Sequence, residues 1–163
     1  MNTRLLFAAS LAALLTAGCG KKDDSTAASA ASAETNGPKT IEITAGDTMK
    51  YSVTQIDAKP GEALKVILTN NGTQPIQVMG HNWVLLKPGT DVAAFDAAAL
   101  NSKDTNYIPA SLSNEIVEHI DLLGPRKSGE VDFNAPTTPG DYPFLCTFPA
   151  HYQTGMKGTL TVK

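Results

Sequence analysis

From Thr40 onward the chain is a succession of short stretches rich in β-branched and aromatic residues, each closed by a turn signal. The candidate strands are Thr40–Thr44, Met49–Ile56, Ala63–Thr69, Ile76–His81, Glu115–Leu122, Gly129–Phe133, Asp141–Cys146 and Gly158–Val162. Between them lie Ala45-Gly46-Asp47, Lys59-Pro60-Gly61, Asn70-Asn71-Gly72, Pro125 to Ser128 and Thr138-Pro139-Gly140, the glycine, proline and asparagine punctuation of turns. About eight short strands point to an all-β sandwich or barrel. Within them the period is two: Leu64, Val66 and Leu68 share one face, while Lys65 and Thr69 lie on the other and Ile67 breaks the rule.

One segment departs from this pattern. Asp91 to Leu100 is rich in alanine, a strong helix former, and Thr90 or Asp91 is available as its N-cap. We expect a helical flap inserted between strands over residues 90–114, with Val92, Phe95 and Leu100 turned toward the sandwich. Met49 and Met79 read as apolar fillers of their strands, and Trp83 and Phe148 as core residues.

The N-terminus is organised differently. Arg4 precedes an apolar run from Leu5 to Leu15, which ends in Thr16-Ala17-Gly18 before Cys19. Such a run reads as an export signal, and it is shorter than the roughly 20 apolar residues that span a bilayer. Leu14 to Cys19 resembles the bacterial lipobox, which implies that residues 1–18 are removed and that Cys19 carries lipid. Residues 19–38 are then a flexible Ala/Ser-rich tether, because after Cys19 they contain no large apolar side chain with which to fold. The globular domain is expected over residues 39–163. Gly20 is not the Asp that retains many lipoproteins at the inner membrane, so a periplasmic protein anchored to the outer membrane is favoured.

Charge narrows the partners. Thirteen basic and 16 acidic residues leave a net charge of −3, which argues against nucleic acid, whose binding needs clustered positive charge. With Cys19 committed to lipid, Cys146 is the remaining cysteine of the two. A lone thiol in an exported, oxidising setting is buried and inert, paired with another chain, or bound to metal.

Its neighbours favour metal. Cys146-Thr147-Phe148-Pro149-Ala150-His151-Tyr152-Gln153-Thr154-Gly155-Met156 sets a thiolate, an imidazole and a thioether in one short loop after a candidate strand. A His₂Cys set with a weak axial Met suits electron-transfer copper, and Pro149 restricts the loop. The second histidine is His81 or His119. His81 follows Gly80, which allows close backbone approach, whereas His119 is flanked by acids inside a strand. We take His81 as the ligand and His119 as a surface residue.

These residues resemble the cupredoxins, specifically the azurin and auracyanin group, over about Thr40 to Lys163. The likeness rests on Met79-Gly80-His81-Asn82-Trp83-Val84-Leu85, Cys146-Thr147-Phe148-Pro149, His151 and Met156-Lys157-Gly158-Thr159-Leu160. It implies an eight-stranded Greek-key β-sandwich holding one copper ion, with His81, Cys146 and His151 equatorial, Met156 axial and the Gly80 carbonyl a distant fifth ligand. Asn82 would tie the two ligand loops together, and the backbone N–H groups of Asn82 and Phe148 would bond the Cys146 sulfur. The resemblance further implies an exposed His151 ring edge as the electron port, beside Pro149, Ala150 and Tyr152. Four residues separate His151 from Met156, where azurins have three, and the azurin disulfide is missing.

The function implied is a blue copper protein passing single electrons between exported or membrane redox proteins of a respiratory or related chain. No small-molecule substrate is expected. A Cys-His nucleophile would need an exposed thiolate and an orienting third group, and three histidines in all are too few for multicopper oxidase chemistry. The alternative is a lipoprotein that sequesters copper without transferring electrons.

Overall fold

The structure, a computed structural model, describes residues 37–163. The export signal, the Cys19 lipidation site and nearly all of the tether lie outside the described residues. Eight strands form in chain order: β1 (Lys39–Ala45), β2 (Gln55–Ala58), β3 (Ala63–Asn70), β4 (His81–Leu86), β5 (Ile116–Leu123), β6 (Ser128–Asn134), β7 (Gly140–Leu145) and β8 (Lys157–Val162). They make a three-stranded sheet in the order β1-β3-β6 and a five-stranded sheet in the order β2-β8-β7-β4-β5. Within the first, β3 runs parallel to β1 and antiparallel to β6; within the second, β2 and β8 are parallel and the other pairs antiparallel.

The period-two pattern explains the core. On β3, Leu64, Val66 and Leu68 are buried against Ile41 and Ile43 of β1 and against Trp83, Leu85, Phe144 and Leu160 of the opposite sheet. Ile67, the exception in the sequence, is half-buried. Trp83 lies in an aromatic cluster with Phe144, their ring centroids 5.6 Å apart, and with Phe133 at 6.2 Å. Burying such rings is among the largest stabilising terms a domain of this size has.

Strand β4 is buried at all six positions, and the flap is the reason. Trp83 and Leu85 point into the sandwich, while Val84 and Leu86 point the other way, into a second cluster with Phe95 and Leu145. Phe95 comes from helix α2 (Val92–Ala99), which follows the single turn α1 (Ile76–Met79) in chain order. Asp91 is the N-cap of α2, its carboxylate accepting from the N–H groups of Ala93 and Ala94 at 3.1 and 3.0 Å. Val92 is half-buried on this cluster. Leu100 is 47% exposed, contrary to expectation, because it stands at the helix end beyond the last buried residue, Ala99.

Two expected strands differ. Ile76–His81 is β-rich in composition, yet Ile76–Met79 folds as one helical turn after Pro75, whose carbonyl accepts from the N–H groups of Val78 and Met79, both at 2.9 Å. The strand starts only at His81. A Cβ on Gly80 would lie 2.8 Å from the Ile76 carbonyl oxygen and 2.9 Å from Leu122 carbons, so the turn can close onto β5 only with glycine there. Met49–Ile56 is likewise a crossover between the sheets for most of its length: Met49 has φ of 53° and the ladder begins at Gln55. Met49 and Met79 consequently sit half-buried in turns, not in the core.

Candidate metal centre

Antiparallel neighbours β4 and β7, paired at Val84 with Leu145, put the start of one beside the end of the other. His81 opens β4 on the face of Trp83 and Leu85, and Cys146 follows β7 on the face of Tyr142 and Phe144. Alternation along two strands therefore delivers an imidazole and a thiol to one end of the core. The Cys146 N–H donates to the Met156 carbonyl at 3.1 Å, extending the pairing of β7 with β8 by one step and closing the loop 147–155. Inside it the Met156 N–H bonds the His151 carbonyl at 2.9 Å, the His151 N–H bonds the Phe148 carbonyl at 3.0 Å, and Ala150 takes φ of 70°. This folding returns His151 to Cys146.

Ligand atoms of His81, Cys146 and His151 lie within 4.8 Å of one another, and all three residues are buried. The Cys146 Sγ is 3.4 Å from His151 Nδ1, and the two imidazole centroids are 4.9 Å apart. Neither ring nitrogen of His81 meets hydrogen-bond geometry with a described residue, although the Gly46 carbonyl is near enough to favour its protonated form. Buried polar atoms are normally paired, so an orphaned imidazole aimed at a thiol and a second imidazole fits a site made for a soft or borderline metal ion. Met156 is also buried, its backbone fixed between His151 and β8.

The electrostatics agree. Burial pushes the Cys146 thiol up to about 12, opposed by the backbone N–H groups of Asn82 and Phe148, which bond the sulfur; the Asp96 charge adds to the rise. Burial brings His151 down to about 4, helped by its neighbour His81. His81 is lowered by burial as well, partly offset by the Gly46 carbonyl and the Asp47 carboxylate. Burial thus disfavours the charged form of all three side chains, and metal binding would release the thiol proton.

Asn82 links the two ligand segments. Its side chain bonds both the N–H and the hydroxyl of Thr147, and its Nδ2 also reaches the Asn106 carbonyl at 3.3 Å. The Thr147 hydroxyl donates to the Tyr107 carbonyl at 2.7 Å, and the buried Tyr51 hydroxyl donates to the Asn82 carbonyl at 2.5 Å. Tyr51, Thr147 and Tyr107 were not singled out from sequence. Thr147 adjoins the cysteine and could have been; Tyr51 and Tyr107 reach the site only through the crossover and the flap.

Comparisons with known proteins decide the family. Residues 39–163 match the family of copper binding proteins described as the plastocyanin/azurin family. The chain belongs to this cupredoxin family. Auracyanin-A of Chloroflexus aurantiacus is 37% identical over 130 residues, which cover 78% of this chain and 76% of that one. Auracyanin-B of the same organism is 36% identical over 126 residues, 76% of this chain; the match spans about half, 52%, of that protein's length. Among solved structures, dithionite-reduced auracyanin from Roseiflexus castenholzii superposes with a TM-score of 0.68 at 38% identity, covering 78% of this chain and 99% of that one.

In this cupredoxin, His81, Cys146 and His151 form a single copper-binding site. His119 stands apart on β5, half-exposed, with Nε2 3.6 Å from Asp121 and Nδ1 4.0 Å from Glu118. One expectation needs correction. The His151 ring does not present an open edge, for the residue is 1% exposed. Its loop neighbours Pro149 and Tyr152 are half-buried and Ala150 is exposed, and the Phe148 ring lies beside it, tilted by 41° with 4.8 Å between centroids.

Proposed function

We propose that the chain is a blue copper electron carrier that passes single electrons between exported or membrane redox proteins, held at a bacterial membrane by lipid on Cys19. The observation that carries this reading is the buried cluster of His81, Cys146 and His151, whose ligand atoms lie within 4.8 Å of one another. Copper, when bound, supplies a one-electron couple between Cu(II) and Cu(I). The residues do the rest. The two strands and the bonded loop keep the donor atoms in place in both charge states, which keeps reorganisation small. In this reading the Met156 thioether would add a weak hold on the metal, and the Gly80 carbonyl a weaker one. The Asn82 and Phe148 N–H groups bonded to Cys146 withdraw charge from the sulfur and help set the potential. His151 would be the ligand through which electrons pass, and a redox protein of a respiratory or related chain would dock near its loop neighbours Pro149, Ala150 and Tyr152.

The test is direct. Protein loaded with one equivalent of copper should show the intense visible thiolate-to-copper band and a reversible one-electron wave by voltammetry, and Cys146→Ser should lose the band. Tight copper binding without a reversible wave would instead mark a sequestering lipoprotein.

A further inference from the structure

Helix α2 carries a charged side chain where the flap meets the sandwich. Asp96, on the same face as Phe95 and Ala99, is 1% exposed. Its Oδ2 accepts a hydrogen bond from the Gln153 Nε2. Its Oδ1 is buried with no hydrogen-bond partner among the described residues. Gln153 lies between His151 and Met156, so the bond joins the flap to the loop that holds His151. Packing alone does not account for an acid here. Leu would fill the space without a buried polar group, and Asn would keep the bond to Gln153 without a buried charge, whereas a half-satisfied carboxylate is a destabilising choice.

The copper site supplies a reason. Copper at the His81, Cys146 and His151 site would carry one more positive charge when oxidised, and the buried setting of Asp96 and of the three ligands screens a fixed negative charge little. We propose that Asp96 is a positioning residue for the copper site: through Gln153 it latches the flap onto the ligand loop, and its carboxylate favours the oxidised metal.

This inference rests on the electron-carrier reading, and two variants separate it from that reading. Asp96→Asn removes the charge and keeps an acceptor for Gln153. Gln153→Leu removes the donor, leaving a buried acid that must take up a proton or lift the flap. Both should keep the blue band and move the midpoint potential positive. In the metal-free protein, Gln153→Leu should also speed amide hydrogen exchange in residues 92–99 and 147–155 together, because both segments lose the same latch. If the parent gives a reversible wave and both variants share its midpoint, Asp96 has no electrostatic role. Unchanged exchange in Gln153→Leu would remove the latch, and this holds even if no wave is seen in any form. Should Asp96→Asn fail to fold, Gln153→Leu alone decides both points.

Discussion

Asn82 and Thr147 exchange a reciprocal pair of hydrogen bonds, with the Thr147 N–H donating to Asn82 Oδ1 at 2.8 Å and Asn82 Nδ2 donating to the Thr147 hydroxyl at 2.7 Å. Both residues are fully buried, and each adjoins a copper ligand, His81 and Cys146 respectively. Replacing Asn82 with Leu would strand the buried Thr147 N–H without a partner. Loss of such a network is expected to lower stability by about 2–4 kcal/mol. Denaturant unfolding of the metal-free variant checks this, and a loss under about 0.5 kcal/mol, the range of a neutral surface change, would show that the pair is not structural.

Met156 can be tested at the metal by opposing substitutions. Leu in its place should leave copper bound, since the equatorial set supplies most of the affinity, and should raise the midpoint potential by removing a donor from Cu(II). Gln offers a harder oxygen and should lower the potential. Voltammetry on both must find shifts of opposite sign; two unchanged midpoints would leave the axial position to the Gly80 carbonyl or to nothing.

Metal-free protein should have its stability bounded on both sides by the buried ligands. His151, ordinarily 6.5, is about 4 when folded, so the unfolded chain binds the proton more readily. Stability is therefore full above pH 6.5 and falls as the pH drops toward 4, by on the order of 3 kcal/mol from this residue. Cys146 is shifted the opposite way, from 9.0 to about 12. Its contribution is present below pH 9 and is lost as the pH rises toward 12. Urea titrations at pH 5, 8 and 10.5 should show the greatest stability at pH 8, and a flat profile would contradict the burial of neutral ligands. Copper should flatten the acid limb, because it holds the imidazoles deprotonated.

The anchor rests on Cys19. Native protein should stay with membranes and carry a diacylglyceryl-type mass on a mature N-terminal cysteine. Cys19→Ser should release the protein without altering the blue band. Mass spectrometry finding an unmodified N-terminus would end the lipoprotein reading.

Most strands and the three principal ligands could be read from the chain because each depends on local rules. Period-two alternation marks Leu64, Val66 and Leu68 as core whatever lies opposite, and turn residues bound most strands to within a residue or two. Cys146, His151 and Met156 are close in sequence, and one loop must bring them round. The strand read at Ile76–His81 failed because composition there favours β structure while Gly80 and the contact with Leu122 demand a turn.

The sequence by itself determined the metal chemistry, since a thiolate, two imidazoles and a thioether have few other joint uses. Tertiary structure decided what no local pattern encodes. It brought His81 beside Cys146 by pairing β4 with β7, placed Tyr51 beneath Asn82, and covered β4 with a flap whose Asp96 reaches the ligand loop. It also drew the His151 ring below the surface. These are contacts between segments distant in the chain, set by which sheet faces must be buried together, and burial on two sides of one strand is a property of the whole fold.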